Sequence, residues 1–376
     1  MSEQTNSIES LPPRHRKRQK KLLYAGLAVL LVIVIILIYY LYTIFNFASN
    51  IQDPVLSPPT SEDKPDAIPE WEGTERVNIL LLGTDSRGLK NKEAARSDSM
   101  IIVSIDPISK QANLFSILRD TYAAIPGHGK SRINEALALD GPALAMQTVS
   151  EFTGLPIQYF VSTDFEGFIA LIDALGGSEF EVEKRMYYTD KKDYPRYTID
   201  LKPGLQQMDG LTALQYVRFR HDALSDYTRT ERQREFLSAI AKKLTSTTSL
   251  LRLPSLLSSI EPHIRTNIHI ADMLKLARLG LDLDTDTITG VQIPPRDLLR
   301  EEKIGGADVI TVRNEDTLRA FIQEQLAPKQ LVPGAEQSGQ SGQSGQSGQS
   351  GQSQQSGQSQ VSGSGTSSNP IGGRTP

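Results

Sequence analysis

Five short stretches gather the residues whose types and spacing suit chemistry. The densest is 216–233, YVRFRHDALSDYTRTERQ, which holds Arg218, Arg220, Arg229 and Arg232 with His221, Asp222, Asp226 and Gln233 among them. GTDSRG at 83–88 supplies Asp85 and Arg87, RSDS at 96–99 supplies Arg96 and Asp98, and RDT at 119–121 supplies Arg119. GHGKSRIN at 127–134 adds Lys130 and Arg132. Guanidinium groups this dense suit bidentate capture of a multiply charged anion, a pyrophosphate or several phosphates, because the planar fork matches phosphate geometry. Asp85 and Asp98 are carboxylates of the kind that hold a Mg²⁺ together with substrate phosphates. Structural ion pairs are the rival reading. They need a carboxylate for each guanidinium, and the same stretches carry fewer acids than bases.

Other chemistries find little support. GHGKS lacks the full spacing of a nucleotide-binding P-loop, and neither GxSxG nor HExxH occurs. The five histidines are scattered and there is no cysteine, which excludes disulfides and thiolate metal sites. A net charge of −4 argues against nucleic acid as a partner.

The elements that must position these residues follow from patterning. Residues 1–21 are polar and end in Arg14, Arg16, Lys17, Arg18, Lys20 and Lys21, while 22–45 is apolar and uncharged. That run has the length of a transmembrane helix, and its bulky end (Tyr39, Tyr40, Tyr42, Phe45) suits an interfacial belt rather than a cleavage site. The basic cluster then stays in the cytoplasm and the rest lies outside. Residues 46–74, rich in Pro, Ser, Asp and Glu, read as an extracellular linker, and 329–376, with its Gln-Ser-Gly repeats, reads as a disordered tail.

Between them, 75–328 alternates strands and helices, which predicts an α/β sandwich around a largely buried mixed sheet. Strands are predicted at 77–82, 100–105, 112–117, 157–161, 180–182 and 288–293. Helices are predicted at 133–152, 164–175, 211–215, 228–244, 270–281 and 315–326. Charge therefore falls repeatedly at strand ends, where open α/β sheets bind ligands. Arg218 and Arg220, two apart, share a side of an extended strand. Thr228 and Glu231 have capping-box spacing, and Arg229, Arg232 and Gln233 share a helix face that continues into Phe236 and Ile240. An arginine face running into an apolar face reads as a cleft wall, polar at one end and greasy at the other.

The ordered motifs NILLLGTDSRG, RSDSMIIVSIDP, SILRDTYAAIPGHGKSRINEA, DFEGFIALIDALGG, LQQMDGLTALQYVRFRH and DYTRTERQ resemble the LytR–CpsA–Psr family of Gram-positive bacteria. The resemblance implies a three-layer α/β/α domain and a transferase. Such an enzyme would move an anionic glycopolymer, of teichoic acid or capsule type, from an undecaprenyl-pyrophosphate carrier to the C6 hydroxyl of peptidoglycan N-acetylmuramic acid. On the same footing, Asp85 and Asp98 look like Mg²⁺ ligands, and Arg87, Arg96, Arg119, Arg218 and Arg220 look like arginines around the pyrophosphate. Asp226, Arg229, Arg232 and Gln233 match a D-x-x-R-x-x-R-Q segment, and Lys130, Arg132 and Asn134 match a G-K-x-K-I-N motif, with arginine in place of the second lysine. Asp226 is then a candidate base for the sugar hydroxyl, and Leu137, Phe165, Leu171, Phe236 and Ile240 are candidates for the wall of a prenyl tunnel. Three readings stay beside the transferase: a prenyl-pyrophosphate pyrophosphatase, a transcriptional attenuator and a non-catalytic binder of wall polymer.

Overall fold

The computed structural model describes residues 13–52, 71–85, 96–189, 195–220 and 226–327. Residues 1–12, most of the expected linker and the tail lie outside the described residues.

The chain begins with α1 (Pro13–Ile51), one helix through the whole apolar run. From Lys20 it is long and apolar enough to cross a membrane. It does not end at the expected linker boundary. Phe47, Ala48 and Ile51 continue an apolar stripe that packs on the folded domain, so helix persists to Ile51.

Then come β1 (Val77–Thr84), β2 (Ser97–Asp106) and β3 (Gln111–Ile117), a hairpin of β4 (Tyr122–Ile125) and β5 (Gly129–Arg132), and α2 (Glu135–Thr153). β6 (Tyr159–Asp164) and α3 (Phe165–Ala174) follow, then short strands β7 (Ser178–Val182), β8 (Met186–Tyr188), β9 (Ile199–Leu201) and β10 (Gly204–Met208). The middle helices are α4 (Gly210–Arg218), α5 (Asp226–Leu244), α6 (Thr247–Leu251) and α7 (Leu253–Ile260). The chain closes with β11 (Ile264–Thr266), α8 (Ile270–Asp282), β12 (Thr289–Ile293), a hairpin of β13 (Leu299–Ile304) and β14 (Ala307–Val312), and α9 (Glu315–Leu326).

The central sheet is mixed, in the order β11-β6-β1-β2-β3-β12. β1 pairs antiparallel with β2 and parallel with β6, and β3 pairs parallel with β12. Side chains alternate across the sheet. Leu80, Leu82, Met100, Ile102, Phe115 and Ile117 face one way and pack on α2 and α9. Ile79, Val103 and Tyr159 face the other way, toward α8. Leu81, Ile101 and Val161 share that second face and border a cavity under α3 and α5. The three layers expected from the resemblance are present.

Local structure departs from expectation where a cap or a tertiary contact overrides pattern. The glycine loop at 127–129 is the turn of the β4–β5 hairpin, not a loop opening directly into a helix. α4 runs on to Arg218 because Asp209 caps it, accepting from the Thr212 amide at 2.8 Å, and because Ala213, Leu214, Tyr216 and Val217 bury one side. Arg218 therefore ends a helix, and no strand carries it with Arg220. α5 already starts at Asp226, so the Thr228 hydroxyl lies inside the helix, where it accepts from Arg232 at 3.3 Å.

α3 and α4 cross tightly at Gly210, whose amide donates to the Asp173 carboxylate at 2.7 Å. A Cβ there would stand 2.3 Å from the backbone oxygen of Ile169. Gly210→Ala must push the two helices apart, and we expect it to cost about 1–3 kcal/mol. Gly280→Ala, on α8 with nothing within 4 Å, should be neutral or slightly stabilising. Thermal unfolding of the two variants side by side checks the contrast.

Candidate functional site

The site forms where β1 and β3 end and β2 begins, beneath the start of α5. Gly83 lies opposite Ser99 and Thr84 opposite Ser97, so Asp98 is the extra residue of a β-bulge. The bulge needs the strands close: a Cβ on Gly83 would stand 3.1 Å from the Ser99 Cβ. Bulges redirect side chains, and this one leaves Asp98, like Asp85, on the lining of the cavity under α3 and α5.

Arg119, just beyond β3, sits in a cage of carboxylates. Its guanidinium is 2.5 Å from Asp98, 3.5 Å from Asp120 and 3.8 Å from Asp226. Burial pulls its pKa down, but the three carboxylates outweigh burial and hold it above the ordinary arginine value. Arg229, on the first turn of α5, has the opposite balance. It is 5% exposed and reaches one carboxylate, Asp226, at 3.2 Å. Its Nε is buried without a hydrogen-bond partner. Burial, then the nearby charges of Arg119 and Arg220, depress its pKa to about 10 against the pull of Asp226. Arg119 is thus held by three carboxylates, while Arg229, among the described residues, is paired with one, which leaves its charge the less fully compensated of the two.

Gln233 locks this arrangement to the sheet. Its side-chain carbonyl accepts from the Ser99 hydroxyl at 3.0 Å, and its amide donates to the Val217 carbonyl at 3.3 Å. Arg218 lies over the rings of Phe165 at 4.7 Å and Tyr197 at 5.7 Å, a cation–π seat at the end of α4.

The cavity has a volume of 490 Å³, within the range of small-molecule sites. Its polar end carries Asp85, Asp98, Arg119, Arg218, Arg220, Arg229 and Gln233. Its other end is apolar, walled by Phe165, Phe168 and Leu171 of α3 and by Phe236, Leu237 and Ile240 of α5. Phe236 is stacked on Phe180 at 4.5 Å, which fixes that wall.

Not every residue singled out in the sequence reaches the cavity. Arg87, His221 and Asp222 lie outside the described residues. Asp226 does not border the cavity itself but stands behind it, bridging Arg119 and Arg229. Arg96 pairs with Glu135 at 3.2 Å, and Arg132 pairs with Glu135 and Asp120 at 2.9 and 3.4 Å. Lys130 lies on the β4–β5 hairpin, outside the cavity lining. Arg232 is buried, donates to the Tyr216 carbonyl at 2.9 Å and ties α5 to α4. Leu137 packs in the core on the far face of the sheet. Sequence reasoning missed Asp120 and Glu135 as partners of the arginines. Glu135 is on the first turn of α2, and nothing in its local sequence marks it as the acid for Arg96.

Among the described residues no group of three His, Asp or Glu side chains is gathered closely enough to hold a cation by itself. Asp85 and Asp98, both oxygen donors bordering one cavity, do fit Mg²⁺ of the type that completes its shell with water and phosphate oxygens.

The family model described as "LytR_cpsA_psr family" matches residues 38–325. A Bacillus cereus protein named polyisoprenyl-teichoic acid–peptidoglycan teichoic acid transferase TagU is 32% identical over 283 residues, 73% of this chain and 88% of its own. A protein of the same name from Enterococcus faecalis is 36% identical over 205 residues, 54% of this chain and 65% of its own. A solved structure described as "LytR-CPS2A-psr family protein YwtF (TagT) with bound octaprenyl pyrophosphate lipid" superposes with a TM-score of 0.53 at 26% identity, covering 72% of this chain and 97% of that one.

The buried charge of Arg229 carries a testable trade-off. Folded Arg229 gives up its proton near pH 10, well before the unfolded chain does at the ordinary arginine value, so its burial opposes folding in full below pH 10. Arg229→Met, which keeps length and drops charge, should leave the thermal midpoint unchanged or higher, because Asp226 retains Arg119. The same variant should weaken binding of inorganic pyrophosphate about tenfold or more, the worth of one charge-assisted hydrogen bond. Unfolding scans and calorimetric titration read the two effects separately.

Proposed function

The chain belongs to the LytR–CpsA–Psr family, and from that premise we propose that it is a membrane-anchored, extracellular phosphotransferase. It takes an anionic glycopolymer, of teichoic acid or capsule type, from an undecaprenyl-pyrophosphate carrier and joins it to the C6 hydroxyl of N-acetylmuramic acid in peptidoglycan. The observation that carries this reading is one continuous cavity with an arginine-rich mouth and an apolar interior. A charged head on a long apolar tail is the ligand that uses both ends. The relatives' names, which give teichoic acid and peptidoglycan as substrates, and the prenyl pyrophosphate held by the superposable structure support the same choice.

In the proposed reaction the pyrophosphate lies against Arg119, Arg218, Arg220 and Arg229. Arg229 is short of a counter-charge and gains most from the anion. Phosphoryl transfer asks a protein for positioning and charge neutralisation more than for a covalent intermediate. The sugar hydroxyl attacks the polymer-side phosphorus, its proton passes through one bridging water to the Asp226 carboxylate behind the lining, and the bond to the bridging oxygen breaks, releasing prenyl phosphate. Asp226 would be held for this by Arg229 at 3.2 Å and Arg119 at 3.8 Å. Asp85 and Asp98 would hold a Mg²⁺, which when bound supplies positive charge to the phosphate oxygens. The helix α1 fits a single-pass anchor, and we place its N-terminus in the cytoplasm and the domain outside. An enzyme whose donor substrate is a lipid gains from being tethered where that lipid resides.

A pyrophosphatase would use the same groups with water as acceptor, so the product separates the two readings. Incubated with lipid-linked polymer, peptidoglycan and Mg²⁺, the protein should yield wall-linked polymer, and free polymer phosphate as the sole product would point to the hydrolase. Asp98→Ala should cut attachment at least about a hundredfold while the domain stays folded. Full attachment by this variant would overturn the metal-dependent mechanism.

A further inference from the structure

α1 does not merely precede the domain. It docks on it, and the docking fixes the depth at which part of the domain meets the bilayer. Tyr40, Thr43, Ile44, Phe47, Ala48 and Ile51 form one helical stripe that is shielded, while Tyr39, Leu41, Tyr42 and Phe45 stay exposed. Three polar contacts tie this stripe to the domain. The Tyr40 hydroxyl donates to the Leu251 carbonyl at 2.8 Å, the Asn50 amide donates to Glu261 at 2.7 Å, and the Gln52 amide donates to the Ile268 carbonyl at 3.2 Å.

The contact at Tyr40 sets the depth. The apolar run begins at Leu22, directly after Lys20 and Lys21. About 20 residues of helix cross the ~30 Å hydrocarbon layer, so the layer ends close to residue 41. Tyr40 thus lies at the outer boundary, where tyrosines concentrate. Leu251 is hydrogen-bonded to it and must lie at the same level. Leu251 is 71% exposed and its neighbour Leu250 39% exposed, at the corner where α6 turns into α7. Arg252 follows them, also exposed, with the charge that suits the phosphate layer. Two adjacent leucines facing out at this level are out of place in water and in place among lipid headgroups and upper acyl chains.

We propose that the α6–α7 corner is a second membrane contact: Leu250 and Leu251 dip into the outer leaflet beside α1, and Arg252 meets lipid phosphate. The inference rests on the reading of α1 as a membrane anchor. Its consequence concerns the cavity. α7 packs on α3 and α6 on α5, and α3 and α5 are the helices that wall the apolar end of the cavity. Seating the corner in the leaflet holds that end near the bilayer, so a prenyl chain can move between lipid and protein with little exposure to water.

The chain has no cysteine, so a single introduced cysteine carries a label at one known place. The full chain is reconstituted in phosphatidylcholine–phosphatidylglycerol vesicles with an environment-sensitive fluorophore at Leu251→Cys, Leu31→Cys or Ile108→Cys. Ile108 is 84% exposed in the β2–β3 turn, on the half of the sheet away from α1. Lipids spin-labelled high on the acyl chain should quench the Leu251 label about threefold or more above the Ile108 label, as expected for a side chain at interfacial depth. Lipids labelled near the chain end should quench Leu31 most. Leu31 quenched while Leu251 behaves like Ile108 overturns the seating and leaves the anchor intact. Loss of quenching at Leu31 itself overturns the anchor reading and the seating with it.

Discussion

The structure depends on a charge imbalance buried at the junction between a polar mouth and an apolar cavity. Arg229 is held out of water by its place on the first turn of α5, with one carboxylate 3.2 Å away, a second arginine close by and its Nε unsatisfied. Burying a cation costs several kcal/mol unless it is well paired. Such a cost persists only where surrounding structure enforces it. The enforcement is visible: Gln233, one turn further on, binds both β2 through Ser99 and the end of α4 through Val217, and Arg232 binds Tyr216. α5 is clamped at two points, so Arg229 cannot swing out to water.

The sheet explains why the polar and apolar halves share one cavity. Strand alternation sends Leu81, Ile101 and Val161 to the face beneath α3 and α5, and within a few residues β1 and β6 end at Thr84 and Asp164 and β2 begins at Ser97. Moving along a strand therefore carries the lining from apolar to charged without a change of element. α5 repeats the gradient in the other layer, from Arg229 through Gln233 to Phe236 and Ile240 at helical spacing. Two elements with parallel gradients, facing each other, make a cleft whose polarity is graded end to end.

Much of this was legible in sequence. The six-stranded sheet was foreshadowed by apolar runs such as VNILLL and MIIVSI, and the cleft wall by the arginine-to-phenylalanine face of α5. Contacts between distant segments were not. Period and composition report which face of an element is apolar, not which partner arrives there. Arg232 shares a face with Arg229 by spacing, yet the end of α4 captures it. Arg96 and Arg132 read as surplus cations until α2 brings Glu135 to both. The bulge at Asp98 is a register event between β1 and β2, and a single strand's sequence cannot encode register. The short elements α6, α7, β13 and β14 were missed because fewer than ten residues rarely complete a periodic pattern.

The docked end of α1 joins these points. A flexible linker starting at residue 46 would let the cavity tumble relative to the membrane. Helix to Ile51, five residues past that expected boundary, with Asn50 and Gln52 bonded to the domain, removes that freedom over residues 46–52. Each prefixed rotation is conformational entropy that need not be lost when a membrane-borne substrate is engaged. For a soluble ligand that saving would bring nothing, since the ligand arrives from any direction. For a ligand confined to a plane it counts, because the cavity must face that plane each time. The docked helix end and the graded cavity thus answer the same constraint, that of the proposed substrate with one end fixed in lipid and the other in water.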